Sequence, residues 1–461
     1  MRPLYALAAV AVSFLAGGAA RAQDADLDRI PTAPAATVAS SGSATQTIYL
    51  ENAFNLDTFR NDLLVPPPPS AGDPWEEHLF LDARKTWHLG AALSFTFSGR
   101  ANLQLQRDIP FPDHRNVRLD IRETYLSWLP AEGTYVDFGR INLKSGVALG
   151  ANPTDFFKTR AVVDPLSADP AVLRNDRLGT LMARVQRVWA GGAVTFAYAP
   201  KVEASKPIYS DLTLPSLDPM LDRTNNADRF LIKANLNVTA DFSPEGLVYY
   251  SQGRTRFGLN LTEPVGKALV AYAEWSGGVR PDLIHDALAF GRQTGTIPAA
   301  APAVLPDDPH GAFRNDWVAG FSYTTASQVV FNVEYHDFDA GFSPADWRAW
   351  RQRGETGSAP QRAELWYIRQ YAADQQSPIA RHSAFVRFDR TDAFVRNLEL
   401  QGFVNSDLHD GSGSAQFEAD YYVSNKWTAG ALVNAVYGGR RSDFGSTPAG
   451  TLLQVKIARY F

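Results

Sequence analysis

The sequence predicts an all-β fold: a closed antiparallel transmembrane β-barrel of about 18 strands, with short periplasmic turns and long outer loops. Three observations carry this. Apolar and polar residues alternate with a period of two over segments as long as 16 residues (91–106). Beyond the N-terminus, no apolar run approaches the roughly 18 residues of a membrane helix. The connectors between alternating segments are sorted by length, short following long along the chain.

Residues 1–22 read as a signal peptide. Arg2 supplies the charge, 4–16 the apolar core, and Ala20-Arg21-Ala22 a small-x-small cleavage site. An uncleaved anchor is the alternative, but the core is too short to span a bilayer. The chain contains no Cys, which excludes a lipoprotein signal, a disulfide framework, zinc-thiolate sites and Cys nucleophiles. A net charge of −5 argues against nucleic acid as a partner. Residues 23–45, rich in Ala, Ser, Thr, Pro and Asp without periodicity, read as a flexible periplasmic leader, and the barrel as 46–461.

The strands follow in order. In the first, Ile48, Leu50, Phe54 and Leu56 oppose Glu51, Asn55 and Asp57, with Asn52 a mismatch on the apolar face. In 91–106, Leu93, Phe95, Phe97, Ala101, Leu103 and Leu105 alternate with Ser94, Thr96, Ser98, Arg100, Asn102 and Gln104. A helix cannot keep that period; a two-faced strand must. Val117, Leu119 and Ile121 oppose Arg118, Asp120 and Arg122. Phe230, Ile232, Ala234, Leu236, Val238 and Ala240 oppose Lys233, Asn235, Asn237 and Thr239. Phe331, Val333 and Tyr335 oppose Asn332, Glu334 and His336, and Phe417, Ala419 and Tyr421 oppose Glu418 and Asp420. Polar second faces suit a water-filled lumen better than a packed sandwich.

Short connectors fall at 87–90, 130–133, 190–192, 243–246, 263–266, 325–327, 390–392 and 424–426. Long ones fall at 58–76, 108–115, 144–178, 200–228, 278–311, 339–379, 407–412 and 438–450. With one short outer connector near 252–254, this parity gives 18 strands and both termini in the periplasm; 16 is the other count, because 247–251 is short for a strand. Trp87, Tyr125, Trp128, Trp189, Trp275, Trp317, Tyr335, Trp427 and Tyr437 sit near strand ends, as in an aromatic girdle.

Two loops hold the candidate site residues. Loop 144–178 is expected to narrow the pore with Lys144, Asp155, Lys158 and Arg160, facing lumen arginines Arg100, Arg118, Arg122, Arg140 and Arg184. These arginines form either a basic wall, setting a transverse field with the loop's carboxylates, or simple pairs that hold the loop down as a plug. Loop 339–379 opens a helix at Ser343-Pro344 with Asp346 three residues after the cap. It gathers Trp347, Arg348, Trp350, Arg351, Trp366, Tyr367 and Arg369, either to stack sugars and clamp anions or only to pack the loop and meet lipopolysaccharide phosphates.

Enzyme signatures are absent: no G-x-S-x-G, H-E-x-x-H, P-loop or dinucleotide motif occurs. His336 and His409 read as loop-edge histidines. The pairs Asp337/Asp339 and Asp407/Asp410 lack a calcium-loop spacing, so no metal or cofactor is expected.

Two stretches carry a family resemblance. The C-terminal TLLQVKIARYF resembles the last strand of Gram-negative outer-membrane proteins, which ends in Phe and is read by the barrel-assembly machinery; here Phe461 fills that place, while Arg459 departs from the pattern. GRINLKSGVALGANPTDFF resembles a segment of large porin-like and alginate-export-like barrels over about 20 residues. The resemblance implies an outer-membrane location, contact with lipid and lipopolysaccharide, and passage or export of a hydrophilic solute or polysaccharide. The expected function is thus a channel or exporter for a hydrophilic, anionic solute or polysaccharide. The alternatives are a non-transporting surface barrel that anchors polysaccharide through 339–379, and an outer-membrane hydrolase.

Overall fold

The computed structural model describes residues 46–65, 75–106, 117–163, 167–208 and 218–461. The expected signal peptide and leader, and the connector 108–115, lie outside the described residues. The strands are β1 (Gln46–Phe59), β2 (Trp75–His88), β3 (Leu93–Gln106), β4 (Val117–Ala131), β5 (Thr134–Ile141), β6 (Thr180–Trp189), β7 (Gly192–Ala199), β8 (Arg229–Leu236), β9 (Glu245–Ser251), β10 (Arg254–Val265), β11 (Leu269–Arg280), β12 (Ala312–Thr324), β13 (Val330–Phe338), β14 (His382–Arg390), β15 (Leu398–Asp407), β16 (Gly413–Tyr422), β17 (Trp427–Tyr437) and β18 (Ala449–Tyr460). Each pairs antiparallel with its neighbours in sequence, and β1 pairs with β18 over Tyr49–Tyr460 to Phe59–Ala449, so the 18-stranded sheet closes on itself. The short strand β9 pairs with both β8 and β10, which decides for 18 over 16.

The connectors expected to be short lie at one end of the barrel with both strand termini and the expected long ones at the other, although 237–244 and 391–397 at the first end outrun 408–412 at the second. The exception is the two-residue hairpin 252–253 between β9 and β10, which sits at the long-loop end. Strand β8 stops at Leu236, so Val238 and Ala240 belong to the connector, where the backbone turns on the Val238–Phe242 and Thr239–Phe242 bonds instead of pairing.

Alternation sets the faces. In β6, Met182, Arg184, Gln186 and Val188 are buried while Val185 and Trp189 are exposed. Outward faces carry Phe196, Phe230, Ile232, Val248, Leu259, Val455 and Ile457, all exposed, as an apolar wall. Asn52 does lie on this wall, and its amide is satisfied by Glu77 Oε1 at 2.9 Å and the His78 carbonyl at 3.1 Å.

One irregularity changes the parity. In β4 the register against β3 shifts, Ser98 facing Glu123 and Gly99 facing Ile121, so Arg122 is the extra residue of a β-bulge. Up to Ile121 the odd residues face out; beyond the bulge they face in. Tyr125, expected in the girdle, is therefore buried inside the lumen against Phe156 and Met182.

Five helices belong to the long loops: α1 (Pro170–Asp176), α2 (Leu221–Thr224), α3 (Leu283–Gln293), α4 (Pro344–Thr356) and α5 (Ala359–Asp374). Helix α4 begins with the expected capping box, the Ser343 and Asp346 side chains each bonding the other's backbone. Together α3, α4 and α5 enclose a hydrophobic core of their own, built on Leu288, Leu305, Trp347, Trp350, Leu365 and Ile368. No helix among the described residues is long and apolar enough to cross a membrane, which bears only on helices.

Candidate functional site

The segment 142–179 between β5 and β6 runs through the lumen and is tied to walls far apart in sequence. Its glycine-rich start meets two lumen carboxylates. The N–H groups of Val147 and Ala148 both donate to Glu274 Oε1, on β11, and those of Leu149 and Gly150 to Glu334, on β13, at 2.6 and 2.9 Å. Four consecutive amides are thus satisfied by two charged acceptors, the stronger kind of hydrogen bond. The approach requires missing side chains: a Cβ at Gly146 (φ +83°) would stand 2.5 Å from the Glu274 carboxylate, and one at Gly150 2.6 Å from the Phe385 ring.

The Asn-Pro-x-Asp turn follows. The Asn152 amide bonds back to the Ala148 carbonyl, and the Thr154 hydroxyl reaches Asn260 Oδ1 at 2.8 Å. Asp155 is held in a fork by Arg177, at 2.7 and 3.1 Å, closing the loop on itself. Burial pushes the Asp155 carboxyl up, but Arg177 and Arg174 outweigh it and hold the group below the usual carboxylate range. Phe156 stacks on Tyr249 with ring centroids 4.6 Å apart. Arg160, fully buried, bonds Asp374 at the end of α5 at 2.8 Å, and Arg223 of α2 bonds the same carboxylate, so three long loops share one charged knot.

The return limb is α1. Asp169 caps it, accepting from Ala171 N, and also receives the Arg387 guanidinium from β14 at 2.6 Å. At the other end Asp176 takes Arg122 at 2.6 Å and Arg100 at 3.1 Å. Burial raises the Asp176 carboxyl, and the two guanidiniums outweigh it, leaving it below the ordinary range. The bulge places Arg122 here: it lets Arg122 and Glu123 both face α1.

The remaining expected residues are placed as follows. Arg118 pairs with Asp120 and Arg184 with Asp137, while Arg140 donates to the Gly179 and Pro219 carbonyls at 2.8 and 2.6 Å. Lys144 Nζ donates to Asn175 Oδ1 at 2.6 Å. Each arginine expected to line a basic wall therefore has a specific partner, and Arg100 and Arg122 bond a carboxylate of the loop, Asp176. In loop 339–381 the aromatic residues belong to the helical core: Trp347, Trp350, Trp366 and Tyr367 are no more than 5 % exposed. Their ring faces are covered by protein and cannot stack on a sugar. Arg369 is buried against Asp443 at 2.9 Å; Arg348 is exposed and Arg351 half-buried.

His336 links Glu334 (2.8 Å from Nε2) and Ser383 (3.0 Å from Nδ1). All three are buried and none lines a chamber, so the chain orients the carboxylate that receives the loop amides. Among the described residues no group of three His, Asp or Glu side chains is arranged to hold a metal.

Two chambers flank the described part of the loop. The larger, about 640 Å³, lies between residues 167–177 and strands β1–β4 and β14–β18. Its charges are largely matched, Asp82 with Arg100, Glu123 with Arg84, Glu418 with Lys456. The smaller, about 360 Å³, lies between residues 153–160, β8–β13 and the helices α3 and α5. It is lined by Lys158, Arg160, Arg229, Arg254, Arg256 and Arg280 against Asp155, Asp286 and Asp316. Burial pushes the Lys158 amine down to about 8.

No family model and no curated protein matches the sequence. Among solved structures the chain is similar to Pseudomonas aeruginosa OccK5 (OpdH), at 10 % identity over 91 % of this chain and 98 % of that one with a TM-score of 0.48. It is similar to P. aeruginosa OpdL at 12 % identity, 91 % and 98 % coverage and a TM-score of 0.48. Acinetobacter baumannii OccAB3 gives 9 %, 91 %, 99 % and 0.48. These values carry no argument. The barrel rests on its own strand pairing.

Glu274, Glu334, Asp374 and Arg387 were not singled out as site residues by the sequence. Their one local signal is weak: three of them sit mid-strand on a polar face, where many lumen residues sit.

Proposed function

We propose that this chain is an outer-membrane channel for hydrophilic, anionic solutes, whose path is narrowed by residues 142–179. The observation that carries the reading is the loop crossing the lumen of a closed barrel, anchored on one side to β11, β13 and β14 and on the other to β3 and β4. An apolar outer wall with a charged interior is the arrangement that a barrel in lipid requires. The excess of cations in the smaller chamber supports an anionic solute, and chambers of 360 and 640 Å³ suit a small molecule. The sorting of loops supports a reading in which the smaller chamber faces outward and the larger one the periplasm.

A non-transporting polysaccharide anchor keeps only Arg348 and Arg351 of its expected aromatic site on the surface, which supports the channel instead. Planar-bilayer recording tests the choice. Stable conductance that rises when residues 150–172 are deleted is expected; silence from both proteins, each shown to be folded, would sink the channel.

A further inference from the structure

We propose that the outer rim at the hairpin 252–253 docks an amphiphilic anion, a medium-chain alkyl carboxylate, with its tail on the lipid-facing wall and its head in the basic chamber. This rests on the reading of the barrel as an outer-membrane protein. By strand bounds, every other connection at the long-loop end spans five residues or more. The rim between lumen and lipid therefore carries its shortest connection here.

Immediately outside the hairpin lies a groove of about 430 Å³. Phe257, Val279 and Phe313 border it, at 46, 58 and 53 % exposed, with Pro281 and Pro309. Beside it the Trp275 and Phe313 rings close over Gly277, where a Cβ would stand 2.4 Å from the first and 3.0 Å from the second. Phe257, Val279 and Phe313 thus give the groove walls of alkyl-chain character.

Immediately inside lies the smaller chamber, whose charge is not balanced locally. Arg256 and Arg280 share one carboxylate, Asp316. Arg229, buried to 4 %, donates to Asn226 through Nη2 while its Nη1 has no partner among the described residues. Arg254, 3.1 Å from Asp286, remains 41 % exposed. The groove and the chamber have Arg254 and Arg280 in common. An apolar groove that ends on two arginines, at the shortest connection of the rim, matches one molecule with both parts. A small anion leaves the groove empty, and an uncharged chain leaves the arginines unused.

The test uses the full-length barrel in lipid nanodiscs with bromododecanoate as a quencher of tryptophan fluorescence. Trp275 packs over Gly277 beside Phe313, which lines the groove, so a saturable component is expected that Trp275→Phe lacks. Arg254→Gln is expected to weaken it about tenfold, the loss of one charge-assisted contact, and Val279→Asp comparably, with Val279→Ser in reserve if the aspartate variant does not insert. Bromododecanol should quench without saturating, and bromoacetate not at all. Acid and alcohol quenching alike, or an unchanged response in Arg254→Gln, would overturn the proposal. Conductance of the same preparation is recorded in parallel. A conducting barrel with no saturable quenching fails this inference alone, and a silent barrel fails the channel reading.

Discussion

At the scale of single residues, two features of the loop yield measurable consequences. Gly150 sits where a side chain would meet Phe385 and His336, so Gly150→Val should cost on the order of 1–3 kcal/mol. The readout is a lower temperature for the electrophoretic shift between folded and unfolded barrel. Gly439→Ala, with nothing within 4 Å of the added Cβ, serves as the neutral control. Lys158 gives a pH dependence with a definite sign. Its amine is charged below about 8 and neutral above, so the smaller chamber loses a positive charge as pH rises through that value. Anion selectivity, from reversal potentials in a salt gradient, should fall between about pH 7 and 9, one unit either side of the midpoint, and Lys158→Gln should flatten the curve. Neither effect was legible in the sequence, which shows a glycine and a lysine in a polar stretch but not what faces them.

At the scale of elements, α1 is held by charge more than by packing, since none of its residues is fully buried. Asp176 has a depressed carboxyl, so its pairing with Arg100 and Arg122 is in place at all pH values above the ordinary carboxylate range. It is lost only as the medium falls through the lower, folded-state value. The conductance of the parent protein should accordingly stay flat down to about pH 4 and rise below it. Asp176→Asn should show the raised conductance already at neutral pH; equal conductance in both would mean that α1 does not set the aperture. The helices of 339–381 show the opposite balance. Their capping boxes and Trp/Arg spacing were readable locally, Ser343 to Asp346 above all, but spacing does not say which face is covered. Leu64, α3 and the chain around Leu305 close over Trp347 and Trp350, and those segments come from distant loops.

At the scale of the molecule, closure joins the two ends of the described chain: β1 and β18 pair along nearly their full lengths, and Phe461 N donates to the Ile48 carbonyl. If the terminal Phe is also read during assembly, Phe461→Ala should reduce the amount of protease-resistant barrel while leaving the conductance of the assembled fraction unchanged. Loss of conductance per assembled barrel would place Phe461 in the pore architecture instead.

The faces of most strands and the alternation of their connectors were determined by the sequence itself, because a period of two and a turn length are local properties that survive without tertiary context; 18 strands over 16 was decided by the pairing of β9 with β8 and β10. The β4 bulge already strains this rule: nothing local marks Arg122 as an extra residue, and only pairing with β3 turns Tyr125 inward. The path of residues 142–179 belongs wholly to the tertiary structure. Its partners Glu274, Glu334, Asp374 and Arg387 lie 126, 185, 214 and 218 residues from the groups they bind. Those contacts exist only once all 18 strands are in register and the barrel has closed, since closure is what brings the far walls to opposite sides of one lumen.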